Sequence, residues 1–314
     1  MARPAHLAPM KMFGAHISAT RDKHMTGFLQ QTFSGVAVGG VYAALALALV
    51  MIYQSTHHVN FAQGEMAMFS TYIAWAMIEA GFPYWAALLF TLMFAFGFGA
   101  AIERLIVRHI DQGPIVNVVI LFIGLLVIIN SLAGAIFGFT IKSFPSPFPD
   151  TSRAVGAFVS GHEAGMIAVT LALLTVIFAF FRFTPIGLMM RAAAQNPSSC
   201  RLVGVNVSLM LSLGWGLAGV IGAVAGMMAA PMFYLDPNMM SGILLYGFAG
   251  ALLGGINNPW GAAMGGFAVG IIETLAGAYV VGTELKLSVA LLIIFCVLLV
   301  RPAGLFGRQI VRRV

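Results

Sequence analysis

The stretch Val59–Met77 reads VNFAQGEMAMFSTYIAWAM and follows a run, 27–52, that is almost wholly apolar. It places Asn60, Gln63 and Glu65 at its start and then returns to residues that a bilayer accepts. An apolar segment of about 20 residues spans hydrocarbon, so the polar trio stands where a membrane-length helix begins. Two readings are open. Asn60 followed three residues later by Gln63 has capping-box spacing, with Glu65 in the first turn, where the helix dipole favours an anion. Alternatively, the three side chains line a polar route across the membrane.

The rest of the chain decides the setting. Of its 314 residues 60% are hydrophobic and 8% charged, against roughly 25% charged in soluble domains. The fold class is therefore all-α, a polytopic transmembrane bundle of eight to nine spans. Nine segments are expected to cross: about 27–52, 62–79, 84–105, 116–138, 165–185, 208–230, 240–256, 259–279 and 287–303. The chain divides into a leader, 1–25, a membrane domain, 26–308, with a cytoplasmic loop, 186–207, and a basic tail, 309–314. Trp75, Tyr84 and Trp85 flank the turn EAGFP, where interfacial rings are expected. The prolines of FPSPFPD, Phe144–Asp150, exclude helix and place an outer loop over about 139–164.

Charge sets the orientation. The net charge of +6 is no nucleic-acid signal, because the basic residues gather in short loops. Putting Arg104, Arg108, Arg182, Arg191, Arg201, Arg301, Arg308, Arg312 and Arg313 in the cytoplasm leaves only Lys142, Arg153 and Lys286 outside. The C-terminus is then inside and, with nine spans, the N-terminus outside. The leader opposes this with Arg3, Lys11, Arg21 and Lys23; a miscounted span or a native start at Met25 resolves the conflict.

Glycines at four-residue spacing let helix backbones approach closely. Gly219, Gly222 and Gly226 fall on one face, as do Gly261 with Gly265 and Gly266 with Gly270. The faces around Gly222 and Gly266 are also candidate contacts with a second subunit.

Several chemistries are missing. No lysine follows a glycine, so there is no phosphate-binding G-x-x-x-x-G-K-[ST] loop. There is no H-E-x-x-H, His57 and His58 are adjacent rather than one turn apart, and no G-x-S-x-G turn occurs. No catalytic residue, metal or cofactor is expected. The two cysteines, Cys200 and Cys296, imply no disulfide framework. Acids near the spans are few. Glu103 beside Arg104 reads as a helix-end residue and Asp236 as part of an outer turn, whereas Glu273, well inside its span, either lines a pathway or is a buried paired group.

A second polar break, GGINNPWGAAMGG (Gly254–Gly266), matches the first: Asn257 and Asn258 precede Pro259, which suits a first helical position. Paired breaks of this kind occur beside transport pathways. The cytoplasmic stretch GLMMRAAAQNPSSCRLVGVNV, Gly187–Val207, encodes a short helix with Asn196 as cap, Pro197 at its first position and Gly204 as left-handed stop. So short a helix does not persist alone and makes sense docked against a partner.

At this point the chain resembles a family. Gly187–Val207 resembles the cytoplasmic coupling loop of bacterial ABC importer permeases. VNFAQGE resembles the I-N-F-A-H-G-E signature of permeases for branched-chain amino acids, LLGGINNPWGAAMGGFAVGIIETLAGAY (Leu252–Tyr279) their glycine-rich element, and RPAGLFGR (301–308) their end. The resemblance covers about 26–308; Gln63 replaces the common histidine and the first twenty-four residues have no counterpart. It implies an inner-membrane permease that takes no cofactor. It would pair with a second homologous permease, two cytoplasmic ATPases and a periplasmic substrate-binding protein. Arg191, Gln195, Asn196, Pro197, Arg201, Leu202, Gly204, Val205 and Asn206 would couple to the ATPase. Asn60, Gln63, Glu65, Asn257, Asn258 and Glu273 would line the pathway. Urea or short amides are alternative substrates within the family. An ion-coupled transporter, a channel and a purely structural subunit are the rival classes.

Overall fold

The computed structural model describes residues 8–56, 58–110, 114–148 and 159–307, with side chains from Met25 onward apart from Ser55. The leader's side chains, His57, Arg153 and the tail from Arg308 lie outside the described residues.

Apart from one-turn pieces, the helices are α1 (Ala8–Thr56), α2 (Gln63–Glu79), α3 (Tyr84–Ile102), α4 (Ile115–Phe137), α5 (Gly161–Phe183), α6 (Pro185–Gln195), α7 (Pro197–Leu202), α8 (Val207–Phe233), α9 (Met239–Gly254), α10 (Pro259–Tyr279) and α11 (Lys286–Val300). Among the described residues nine of these occupy the nine predicted spans. Seven helical segments are long and apolar enough to cross a membrane, and Met239–Gly254 is a shorter apolar helix.

The core is built on α1, which packs against α10, α8, α9 and α5. The apolar window of α1 is almost wholly buried, whereas α4, α5 and α11 leave most of their surface outward. A bilayer, not the bundle, covers that outer ring; here the hydrophobic residues face both ways. The close seams are glycine seams. A Cβ on Gly266 would overlap the backbone of Ala43, and one on Gly270 that of Gly39, so α10 lies backbone to backbone on α1. Gly265 meets Gly250 of α9 in the same way. The stripe on α8 is shared: Gly216 and Gly219 receive Phe96 and Ala95 of α3, while Gly222 and Gly226 receive Ala67 and Thr71 of α2. The faces around Gly222 and Gly266 are thus filled within the chain, which corrects their assignment as candidate contacts with a second subunit.

Helix starts obey local chemistry. α5 begins at Gly161, earlier than the expected 165, because Ser160 and Glu163 form a reciprocal capping box: Glu163 N–H donates to Ser160 Oγ at 3.1 Å and Ser160 N–H to Glu163 Oε2 at 2.9 Å. At the outer pole Lys142 pairs backbone to backbone with Leu235 and lays its ammonium 4.3 Å from the ring centre of Trp75. The ends of α1 and α3 and the start of α8 enclose one cavity, and the ends of α1 and α5 and the start of α10 enclose another. Arg108, Arg182, Arg191 and Arg201 line these two cavities, so the basic loops share one pole, termed the inner pole below because basic loops favour the cytoplasmic side.

Candidate functional site

The opening trio does not form a capping box. α2 starts with Ala62 in the cap position and no side-chain cap bond. Asn60 instead turns its Oδ1 back to accept from Ala62 N–H at 3.0 Å, closing a local turn. Gln63 crosses to α8, where its Nε2 donates to the carbonyl of Ala218 at 2.9 Å. Ala218 lies eleven residues beyond Val207, roughly 16 Å along α8 from the inner pole at 1.5 Å per residue. The chain therefore leaves α1 at the inner pole and re-enters the bundle as a non-helical segment, and α2 starts inside. Irregular backbone at that depth is tolerated only where protein satisfies it; Asn60 and Ala62 are fully buried.

Glu65 is also buried, and its partner was not foreseen. Asn130, on α4, donates through Nδ2 to Glu65 Oε2 at 3.2 Å, to the carbonyl of Pro237 at 2.7 Å and to Asn238 Oδ1 at 3.3 Å. One amide thus ties the start of α2 to the loop before α9. An asparagine deep in the apolar run of α4, away from Asn117 in its first turn, was the available signal, since such a group needs a partner in lipid.

The second break behaves differently. Asn258 caps α10, accepting from Trp260 N–H at 3.2 Å with Pro259 in the first turn, and donates to the carbonyl of Phe306 at 3.2 Å. The carbonyl of Asn257 accepts from Gln54 Nε2 at 3.1 Å. These contacts belong to the inner pole, and no hydrogen bond joins them to Asn60, Gln63 or Glu65 among the described residues. The two breaks share a sequence pattern, not a place.

Glu273 resolves toward the paired alternative. Lys286 Nζ lies 3.1 Å from its Oε1, and Tyr42 donates to its Oε2 at 3.3 Å. The carboxylate is buried between α1, α10 and the start of α11 and holds them together.

Glu103 is not a simple helix-end residue either. It opens a π-helical turn, Glu103–Val107, and is buried. Arg108 grips it with both ends of its guanidinium, Nε to Oε1 at 3.1 Å and Nη2 to Oε2 at 2.7 Å. Ser212 donates to the same oxygen at 2.5 Å, and Arg108 Nη2 also reaches the carbonyl of Ser208 at 3.1 Å. The end of α3 is thereby fastened to the first turns of α8. The wide π turn is what allows residues five apart, Glu103 and Arg108, to close on each other.

The loop 186–207 carries the predicted short helix. Asn196 Oδ1 accepts from Ser199 N–H at 2.9 Å, Pro197 occupies the first turn, and Gly204 stands at φ +82°. Val205 N–H donates to the Cys200 carbonyl at 3.0 Å and Gly204 N–H to that of Arg201 at 3.2 Å, the paired bonds of a Schellman close. Asn206 then caps α8, accepting from Leu209 N–H at 3.1 Å. Cys200 is buried against Met190, Ala193, Val207 and Met210, which seats α7 on the bundle. Arg191, Gln195, Asn196 and Arg201 are exposed, and Leu202 and Val203 are 89% and 77% exposed at the tip. Arg201, Gly204, Val205 and Asn206 line a cavity of about 460 Å³ together with Thr56, Glu103 and Arg108, so the rear of the loop faces the α3 clamp.

A multi-pass bundle with a polar re-entrant segment, a rigidly capped helix at its basic pole and no nucleotide-binding motif has the construction of a transport permease. Residues 31–298 match the family described as the permease component of branched-chain amino acid transport systems, and the chain belongs to that family. It is 29% identical over 309 residues to the high-affinity branched-chain amino acid transport permease LivH of Salmonella typhimurium, covering 91% of this chain and 98% of LivH. It is 28% identical over 302 residues to BraD of Pseudomonas aeruginosa, a permease of the same description, again covering 91% and 98%. It is 26% identical over 302 residues to the autoinducer 2 import permease LsrD of Klebsiella pneumoniae, covering 91% and 85%. The protein is a multi-pass inner-membrane permease.

Proposed function

We infer that this permease is one half of the membrane channel of an ABC importer and that its cargo is branched-chain amino acids. The high-affinity permeases LivH and BraD, aligned over nearly their full length, support the substrate class. The cargo is a zwitterion with an apolar side chain, which asks for dipoles and apolar walls rather than a fixed counter-ion. The segment Asn60–Glu65 offers that: amides, helix-end N–H groups and one carboxylate already bridged by Asn130. Glu273, paired with Lys286, leaves little charge for ion coupling. Energy then has to come from outside the chain, from two cytoplasmic ATPases, with a second permease completing the channel and a periplasmic binding protein delivering substrate.

The observation that carries this reading is α7. Its tip presents Leu202 and Val203 to solvent, while Cys200 and the Asn196 and Gly204 caps fix its base. A rigid knob with an apolar tip suits a groove in another protein and can pass rigid-body motion to α8. Arg201→Pro removes a backbone donor within α7. In the complex reconstituted with its ATPases and binding protein, substrate-stimulated ATP hydrolysis should be lost in this variant. Unchanged stimulation refutes the docking role, and uptake by the permease alone in liposomes refutes the importer.

A further inference from the structure

A second cavity at the inner pole, about 580 Å³, opens beside the Gln54–Asn257 and Asn258–Phe306 bonds and is given no role above. Its floor is the end of α1, with Leu47, Met51 and Gln54; its walls are the ends of α5 and α6 and the start of α10. By side-chain type its lining divides into a polar half and an apolar half. The polar half is Arg182, Arg191 and Gln195 with Gln54, Asn257 and Asn258. Neither arginine makes an ion pair and Gln195 makes no side-chain hydrogen bond among the described residues, and no acidic residue lines the cavity. The first turn of the 21-residue helix α10 lies in the same wall, adding its positive end. The apolar half includes Leu47, Met51 and Ile177 together with Phe178 and Trp260, whose rings meet edge to face at 5.1 Å.

The level of this cavity is fixed by its surroundings. Phe183, Ile186 and Leu188, between the end of α5 and the middle of α6, are exposed, while Gly187, Met190 and Ala193 bury the opposite side of α6 against the bundle. A short helix that shows apolar side chains outward beside arginines lies at the boundary of headgroups and acyl chains. Phe178, half exposed, opens the apolar half toward the lipid-facing surface.

We propose that this cavity is a binding site for an acidic phospholipid of the inner leaflet, its phosphate held by Arg182, Arg191 and Gln195 and its acyl chain laid along Phe178 and Trp260. A free phosphate would use only the polar half. A zwitterionic lipid would bring a choline cation against two arginines. The bound lipid would bridge α5–α6, the lead-in to α7, to α1 and α10. The site stands on the membrane placement of the chain and does not depend on the importer reading.

The test uses the full-length protein, purified with any subunits bound to it, in phosphatidylcholine nanodiscs doped with brominated phosphatidylglycerol or brominated phosphatidylcholine. Bromine quenches nearby tryptophan, and the difference between wild type and Trp260→Phe isolates the signal of Trp260. Phosphatidylglycerol should quench that signal at lower mole fraction, by about thirtyfold for two surface arginines, and Arg182→Gln/Arg191→Gln should remove the difference. Native mass spectrometry of the wild type provides a readout without substitution: phosphatidylglycerol should stay bound where phosphatidylcholine leaves. Equal quenching and equal retention overturn the proposal. So does loss of the preference in excess phosphate but not in chloride of equal ionic strength, which would assign the site to a soluble anion.

Discussion

Gln63, the first residue of α2, donates its side-chain amide to the carbonyl of Ala218 in the middle of α8, 2.9 Å away. The same Nε2 would stand 2.7 Å from a Cβ built on Gly222. That glycine leaves the room in which the amide reaches across, and Gln63 in turn fixes where the re-entrant segment ends. Gln63→Leu keeps the bulk and loses the bond, at a cost of about 0.5–1.5 kcal/mol. Gly222→Ala should push the amide off Ala218 and reproduce the loss. Because both changes break one interaction, the double variant should be less destabilised than the sum of the singles. Gln63→His retains an N–H donor and should keep uptake. Thermal unfolding of the four variants in detergent, with uptake in proteoliposomes, checks this; strict additivity would count against the shared bond.

How much of this was legible follows from particular residues. Span positions were legible because apolar length is a property of the sequence itself. The α7 caps were legible because Asn, Pro and Gly at fixed spacing act locally. Asn60 and Gln63 had the same local spacing as Ser160 and Glu163, yet only the second pair makes a capping box. The difference is tertiary: α8 offers Gln63 a buried carbonyl, and at mid-bundle depth that partner outweighs a backbone N–H nearby. Asn130 and Ser212 were missed because their partners are distant in sequence, and the Glu103–Arg108 pair because its five-residue spacing closes only on a π-helical turn, not on an α-helix. The sequence pattern alone could flag only that each polar group needed a partner.

The clamp Glu103–Arg108–Ser212 should show unequal halves. Glu103 is 2% exposed and Arg108 32%. Removing the arginine strands a carboxylate in the interior, whereas removing the carboxylate leaves a guanidinium that can reach water and still bond Ser208. Arg108→Ala should destabilise by about 2–4 kcal/mol, toward the lower part of the range for broken buried pairs, and Glu103→Gln by less. Adding Glu103→Gln to Arg108→Ala should restore part of the loss, as unfolding midpoints will report.

The seam between α1 and α10 has no spare volume. Gly270→Ala would drive a methyl group into the backbone of Gly39 and toward the carbonyl of Gly35. Backbone cannot rotate away as a side chain can, so about 1–3 kcal/mol of overpacking is expected. Gly124, on the outward α4, has nothing within 4 Å of a built Cβ, and Gly124→Ala should stay within about 0.5 kcal/mol of wild type. Comparable losses at both positions would mean that the seam is looser than described.

Glu273 separates ion coupling from structure. Glu273→Gln keeps an acceptor for the Tyr42 hydroxyl and loses the ion pair with Lys286. If the group only ties α10 to α1 and α11, the variant should unfold at lower temperature while uptake per folded molecule stays within about twofold of wild type. A transporter driven by an ion gradient would want this buried acid and would lose coupled uptake together with its response to the gradient.

The tip and the base of α7 should fail in different ways. Leu202 is almost fully exposed and touches nothing that the fold needs, so Leu202→Asp should leave the unfolding midpoint unchanged and weaken capture of the ATPase subunits. Gly204 sits at φ +82°, where an L side chain costs about 1–2 kcal/mol; Gly204→Ala should loosen the Schellman close and reduce stimulated ATP hydrolysis without altering the apolar tip. Sidedness is best probed at Ser198, which is exposed, because Cys200 is buried under the helix and reacts slowly from either face. With Cys200→Ser and Cys296→Ser as background, Ser198→Cys should react with an impermeant maleimide in inverted vesicles and not in intact cells. Labelling from the outside would put α7 on the far face from any cytoplasmic ATPase, and the coupling role could not stand.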